Sequence, residues 1–162
     1  MGAQLDPEVK WRTMIGLFVN YVSAVHRVLG KQVDELTHKN IIEQIAEEFW
    51  GETGEQFMNI FDINPGTAVE ASRLKQILAS LLDIKSRIES ENEDEVIIES
   101  EYRFCPVRIG LRPVLGDFCK YCELIGQIFI NKIDPHYSHK IVIEGDICRH
   151  ITTRLKESED SK

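Results

Sequence analysis

The chain has no cysteine before residue 105; all four stand between Cys105 and Cys148. Thiol chemistry and cysteine-held metals are thereby confined to the last third. It also lacks any apolar run of the roughly 18 residues that a membrane-spanning helix requires. The best stretch, Met14 to Val28, is broken by Asn20, Ser23, His26 and Arg27. The first residues, Met1 to Asp6, carry neither the basic region nor the apolar core of a signal peptide. Leu5-Asp6 stand where a myristoylation pattern wants a small hydroxyl residue. The chain is expected in the cytoplasm, with no membrane partner.

Positive charge is scarce as well: 19 basic residues face 27 acidic ones, a net charge of −8. The lysines and arginines are scattered and form no stripe interleaved with aromatics, so nucleic acid is not an expected partner. Several chemistries lack their signatures, since there is no Gly-x-Ser-x-Gly, no His-Glu-x-x-His and no phosphate loop. No internal repeat is present.

The remaining composition, 43% hydrophobic and 28% charged over 162 residues, suits one soluble domain with a core of its own. The pattern predicts an α+β domain over 1–155, with N-terminal helices packed on a small antiparallel sheet. Residues 1–85 form the helical half, 95–155 a strand-helix-hairpin half carrying the cysteines, and 156–162 a disordered tail.

Asp6-Pro7-Glu8 is a helix start, with a capping carboxylate and a proline at the first helical position. Trp11, Met14, Ile15, Phe18, Val19, Val22, Val25 and Leu29 follow at helical spacing, and Gly30 is placed to end the run. So wide a stripe puts this helix at the centre of the core, with His26 on a helix face rather than ligating. A second helix is predicted over about 34–50, burying Ile41, Ile42, Ile45, Ala46, Phe49 and Trp50 and broken by Gly51. Thr53 with Gln56, and Thr67 with Glu70, are capping boxes that open a short third helix and a fourth. The fourth carries Leu74, Ile77, Leu78, Leu81 and Leu82.

Residues 86–94, with Glu89, Glu91, Glu93 and Asp94, read as an acidic solvated linker, because their spacing fits no calcium loop. From Glu95 to Phe104 the period changes to two, predicting a strand with one wet face. Pro106 stops it, and a loop follows over 107–116. Asp117 caps a helix to about Lys132 that places Cys119 and Cys122 three apart in its first turns. Residues 138–144 and 147–153 form a hairpin about Gly145-Asp146. In that register Ile143 faces Cys148, Ile141 faces His150 and His139 faces Thr152, and Cys148 and His150 point inward.

Three readings of the thiols stay open. Cys105, Cys119, Cys122 and Cys148 converge on zinc or iron, with His150 or His139 able to replace one thiolate; or Cys119 and Cys122 are a redox pair at a helix start; or all four are small buried apolar residues.

A strand ending in Cys105-Pro106, a Cys119-x-x-Cys122 helix after a loop, and a terminal Gly145-Asp146-x-Cys148 strand resemble the L-2-amino-thiazoline-4-carboxylic acid hydrolase-like family. They also resemble the vinyl-reductase type of small-molecule-binding domain. The likeness spans about 102–153. It implies a pocket for a small organic ligand near the cysteines and points to Cys105, Cys119, Cys122, Gly145, Asp146 and Cys148. The chain departs after the last cysteine, where Arg149 and His150 replace an acidic residue and an aromatic.

The leading expectation is a small-molecule-binding domain with a cysteine-rich zinc (or iron) site at Cys105, Cys119, Cys122 and Cys148. His150, His139, Tyr121 and Asp146 are nominated for ligand binding, and hydrolysis by metal-activated water follows if a coordination position is open. The rival is a non-enzymatic metal or redox sensor or scaffold whose helical half forms a homodimer face.

Overall fold

The computed structural model describes residues 6–103, 105, 108–109 and 118–156. Eight elements follow in order: α1 (Pro7–Gln32), α2 (Glu35–Phe61), α3 (Ala68–Leu81), β1 (Ser86–Glu91), β2 (Glu95–Glu101), α4 (Phe118–Ile133), β3 (Tyr137–Glu144) and β4 (Ile147–Arg154). The four strands form one antiparallel sheet in the order β1-β2-β4-β3. The α+β class expected from the sequence is what is seen.

Capping signals translate directly. Asp6 accepts from the N–H groups of Glu8 and Val9 to start α1, Asp34 accepts from that of Thr37 to start α2, and Thr67 from that of Glu70 to start α3. Glycine signals mislead. Helix α1 runs through Gly30 and stops at Val33, whose N–H reaches Leu29. Gly51 does not break α2, so the two helices expected over this stretch are one. Thr53 spends its hydroxyl on the Phe49 carbonyl at 2.7 Å instead of opening a new helix. The two glycines serve packing: a Cβ at Gly54 would meet Phe129 of α4 at 3.0 Å, and one at Gly51 would meet Lys132 at 3.1 Å.

The acidic stretch expected to be a linker supplies β1. It is an edge strand exposed along its length, with little apolar pattern to announce it, and the backbone of β2 holds it. Glu89 is the extra residue of a bulge between Ile88 and Ser90. The hairpin register is the expected one, with His139 opposite Thr152, Ile141 opposite His150 and Ile143 opposite Cys148. Phe104, the Pro106 stop, the loop expected over 107–116 apart from Arg108 and Ile109, the Asp117 cap, the Trp50 side chain and the tail over 157–162 lie outside the described residues.

One core cluster joins sheet to helices and a second lies among the helices. Ala68, Ala71, Val96, Ile98, Ile130 and Tyr137 meet where α3 crosses the sheet, and Ile63, Leu74, Phe129 and Ile133 meet between α2, α3 and α4. The hydroxyl of Tyr137 lies 3.2 Å from the Gly66 carbonyl and 3.3 Å from that of Glu93, and accepts from Arg154 at 2.7 Å. Helix α1 is not central. Val19, with Ile15 and Val22, packs on Tyr121 and Cys122, while Trp11, Met14 and Phe18 stay exposed. Ile45 and Phe49 of α2, expected inside, are exposed too. The wide stripe on α1 is thus two faces, one covered and one not.

The sheet face away from the helices is charged. Arg149 pairs with Glu89, Glu99 and Glu144, and Arg87 pairs with Glu99 at 2.6 Å. The hydrogen bond from Arg87, supported by Arg149, keeps the Glu99 carboxyl below the usual carboxylate range. This bears out the expectation of one wetter side.

Candidate functional site

Strand alternation puts Cys148, His150 and Thr152 of β4 on the helix-facing side, beside Val96, Ile98 and Ser100 of β2 and His139 and Ile141 of β3. Such a surface is ordinarily apolar. Here it holds a row of buried polar groups, with exposures of 8% for Cys148, 5% for His150 and 6% for His139. The Cys148 thiol lies 3.4 Å from His150 Nε2, and His150 Nδ1 lies 3.4 Å from His139 Nε2.

Both imidazoles are neutral at ordinary pH. Burial, with the Lys75 charge nearby, lowers His139 to about 3 and His150 well below 6.5. Burial also pushes the Cys148 thiol up to about 12, with Cys122, then Cys119 and Cys105, adding to the effect and Lys75 opposing it. A neutral imidazole carries one N–H, so the chain can run in one direction at a time. If the thiol donates to His150, then His150 donates to His139, and His139 Nδ1 ends the chain as an N–H. In the reverse sense that nitrogen ends it as a lone pair. Either way His139 Nδ1 has no partner among the described residues. Ser100 Oγ is likewise unpartnered, and Ser100 stands directly across from Cys148 in the β2–β4 register.

Helix α4 frames this row. Because β3 is a sheet edge, its outward N–H groups need acceptors. Gln127 Oε1 takes that of His139 at 2.6 Å and Glu123 Oε2 that of Ile141 at 2.7 Å, one turn apart on α4. Gly126 between them lets the helix close on His139, since a Cβ there would stand 2.4 Å from the ring. From α3, the Lys75 ammonium donates to Cys122 Sγ at 3.5 Å.

The expected residues therefore divide. His150, His139 and Cys148 are brought together, and Cys122 lies on the facing helix beside Lys75. Cys105 and Cys119 are half-buried and close enough to bear on the Cys148 charge. Tyr121 turns to α1, its ring 6.4 Å from His26. Asp146 sits exposed at the hairpin tip, where its carbonyl accepts from the Tyr102 N–H at 2.9 Å. Among the described residues no disulfide joins any of the four cysteines, and no three His, Cys, Asp or Glu side chains gather as a set that could hold a metal. Sequence reasoning missed Lys75, Ser100, Glu123, Gly126 and Gln127. Gln127 and Glu123 share a helix face with their 123/127 spacing, which is a readable signal only once β3 is known to be an edge.

No family model matches the chain, and neither does any curated protein. Among solved structures it is similar to the Fe(II) unliganded H-NOX protein from K. algicida, at 12% identity and a TM-score of 0.43, covering 79% of this chain and 67% of that one. The A71G mutant of that protein (in its own numbering) matches at 12% and 0.43, covering 96% and 76%. Among the described residues no helix is long and apolar enough to cross a membrane.

Proposed function

We propose that the chain binds a small organic molecule on the helix-facing side of the β3–β4 hairpin, against Cys148, His150 and His139. The observation that carries this reading is the pair of unpartnered buried atoms, Ser100 Oγ and His139 Nδ1, flanking a neutral thiol–imidazole–imidazole chain. Leaving a buried donor or acceptor unmet costs about 1–3 kcal/mol, and a ligand bearing a hydroxyl, amide or ring nitrogen would recover it. Lys75 adds one cation at the side of the site, suited to a carboxylate on the same molecule. A heterocyclic carboxylate of the amino-thiazoline type meets both requirements, in keeping with the family resemblance of the C-terminal third.

The groups favour binding over turnover as they stand. A base with its pKa at about 3 drives little proton abstraction at neutral pH, and a thiol at about 12 is a poor nucleophile. A second reading, a zinc ion held by Cys105, Cys119, Cys122 and Cys148, rests on the effect that Cys122, Cys119 and Cys105 all exert on Cys148. Their thiol donors suit zinc chemically, but the described side chains form no ready cage. Metal analysis and thiol titration of protein purified without chelator test it: stoichiometric zinc with protected thiols supports that reading, and metal-free protein with four alkylated thiols removes it.

Binding is tested by ligand-detected NMR and thermal shift against small heterocyclic carboxylates and amides, 2-amino-thiazoline-4-carboxylate among them. Binders are expected to raise Tm and to be lost on His139→Phe. A panel without binders, or binders indifferent to both His139→Phe and Ser100→Ala, overturns the proposal.

A further inference from the structure

The end of α1 and the start of α2 enclose a cleft of about 370 Å³, apart from the row on the sheet. His26, Arg27, Lys31, Glu35 and His38 line it. His26 Nδ1 lies 3.3 Å from His38 Nε2, and His26 is buried at 7% exposure while His38 is half-buried. The remaining nitrogens, His26 Nε2 and His38 Nδ1, have no partner among the described residues. Arg27 and Lys31 stand one turn apart on the same side of α1, both exposed. Every other described arginine has a partner, most of them a carboxylate, yet neither Arg27 nor Lys31 has one among the described residues. In a chain with 27 acidic residues against 19 basic ones, such a pair of cations is out of the ordinary. Of the two acids at this corner, Asp34 is spent on Thr37, accepting from its N–H at 3.0 Å and its hydroxyl at 2.7 Å. That leaves Glu35 facing two cations, and from α4 the pair meets the Tyr121 ring.

We propose that this cleft binds a dianionic oxyanion, the phosphate or sulfate group of a small molecule, on Arg27, Lys31 and the His26–His38 pair, with one proton taken up by the pair. In its uncharged state the pair shares one hydrogen bond. Whichever ring donates, one outer nitrogen is then an N–H and the other a lone pair. A single added proton turns both outer nitrogens into donors and sets a third positive charge beside Arg27 and Lys31. Burial, and then His38, lower the His26 pKa, and an anion against the outer nitrogens raises it again. Two imidazoles would also suit a transition-metal ion. Here Arg27 and Lys31 oppose a cation, and no third ligand gathers among the described residues. The volume is that of a small-molecule site, so the charged group has room to arrive on a larger ligand.

Sulfate, which does not titrate near neutrality, probes the charged group, and phenyl phosphate probes the larger ligand. Calorimetry of the full chain at low ionic strength is expected to give one sulfate site with Kd of about 1 mM or below at pH 6. Binding should weaken toward pH 7.5 by up to about tenfold per pH unit, the slope of one linked proton. Repeating the titration in buffers of different ionisation enthalpy counts that proton directly. Arg27→Ala and Lys31→Ala should each weaken sulfate about tenfold with an unchanged far-UV circular dichroism spectrum, because both side chains are exposed. Glu35→Gln should tighten binding, and His38→Gln should flatten its pH dependence. Phenyl phosphate tighter than sulfate supports a larger ligand, whereas equal affinities overturn that part and assign the cleft to the free ion. No heat and unmoved imidazole NMR signals at about 20 mM sulfate, or binding indifferent to Arg27→Ala, overturn the site. Binding without proton uptake overturns the role of the histidine pair.

Discussion

The ring of His139 lies on that of His150, with centroids 5.5 Å apart, planes 24° from parallel and one nitrogen of each 3.4 Å from the other. Two imidazoles stacked in a protein interior tolerate no charge. Of the two, His139 is the one that Gly126 admits to the core, and it leaves a nitrogen unmet.

Acidification should therefore unfold the protein early. An unfolded chain takes up an imidazole proton near pH 6.5, whereas folded His139 does so only at about 3 and His150 well below 6.5. Above pH 6.5 both states are neutral and stability is at its full value. Below it the unfolded state binds the extra protons, so stability falls by about 1.4 kcal/mol per pH unit for each histidine. Urea unfolding between pH 7.5 and pH 5 should show this slope, to which His26, lowered by its burial and by His38, adds, and His139→Phe should remove about 1.4 kcal/mol per pH unit of it. A flat profile over that window would mean that these rings do not sit neutral in the core.

Gly126→Ala should destabilise, although alanine normally favours a helix by about 1 kcal/mol over glycine. The new Cβ would stand 2.4 Å from His139 Cδ2 and 2.6 Å from its Nε2, so ring or helix has to move, at a cost of about 1–3 kcal/mol. In a His139→Ala background the same change should become neutral or stabilising. A double-mutant cycle by thermal unfolding measures the difference.

Cys148 should be the slowest thiol. With its pKa pushed to about 12, only about one molecule in ten thousand is a thiolate at pH 8. Native protein treated with iodoacetamide should carry label on half-buried Cys105, Cys119 and Cys122 well before Cys148, as read by peptide mass spectrometry. Denaturant should remove the ranking.

Tyr137→Phe should cost about 1–2 kcal/mol, the loss of a hydroxyl that is satisfied on both sides in the interior. This hydroxyl joins Gly66 before α3, Glu93 in the β1–β2 turn and Arg154 at the end of β4. The loss should show as a lower urea midpoint with an unchanged m-value.

Much of this was legible in the residues themselves. Asp6-Pro7, Asp34 and Thr67 start helices because a capping side chain acts on N–H groups two or three residues away. Gly145-Asp146 closes the hairpin, and the period-two pattern then sets Cys148 and His150 inward. These are short-range effects, decided by neighbours in the chain. Gly51 was misread because a helix interior accepts glycine when another helix needs the space, and that helix, α4, lies far along the chain. Strand β1 was missed because an edge strand owes its form to its partner's backbone rather than to its own side chains.

The sequence alone determined the class of fold, most element starts, the hairpin register and the inward pair on β4. Only the tertiary structure decided that α1 shows one apolar face to solvent, that His139 completes the chain from Cys148, and that Lys75, Ser100, Glu123 and Gln127 surround it. Periodicity says which side chains share a face, whereas what a face meets depends on contacts between segments distant in the chain.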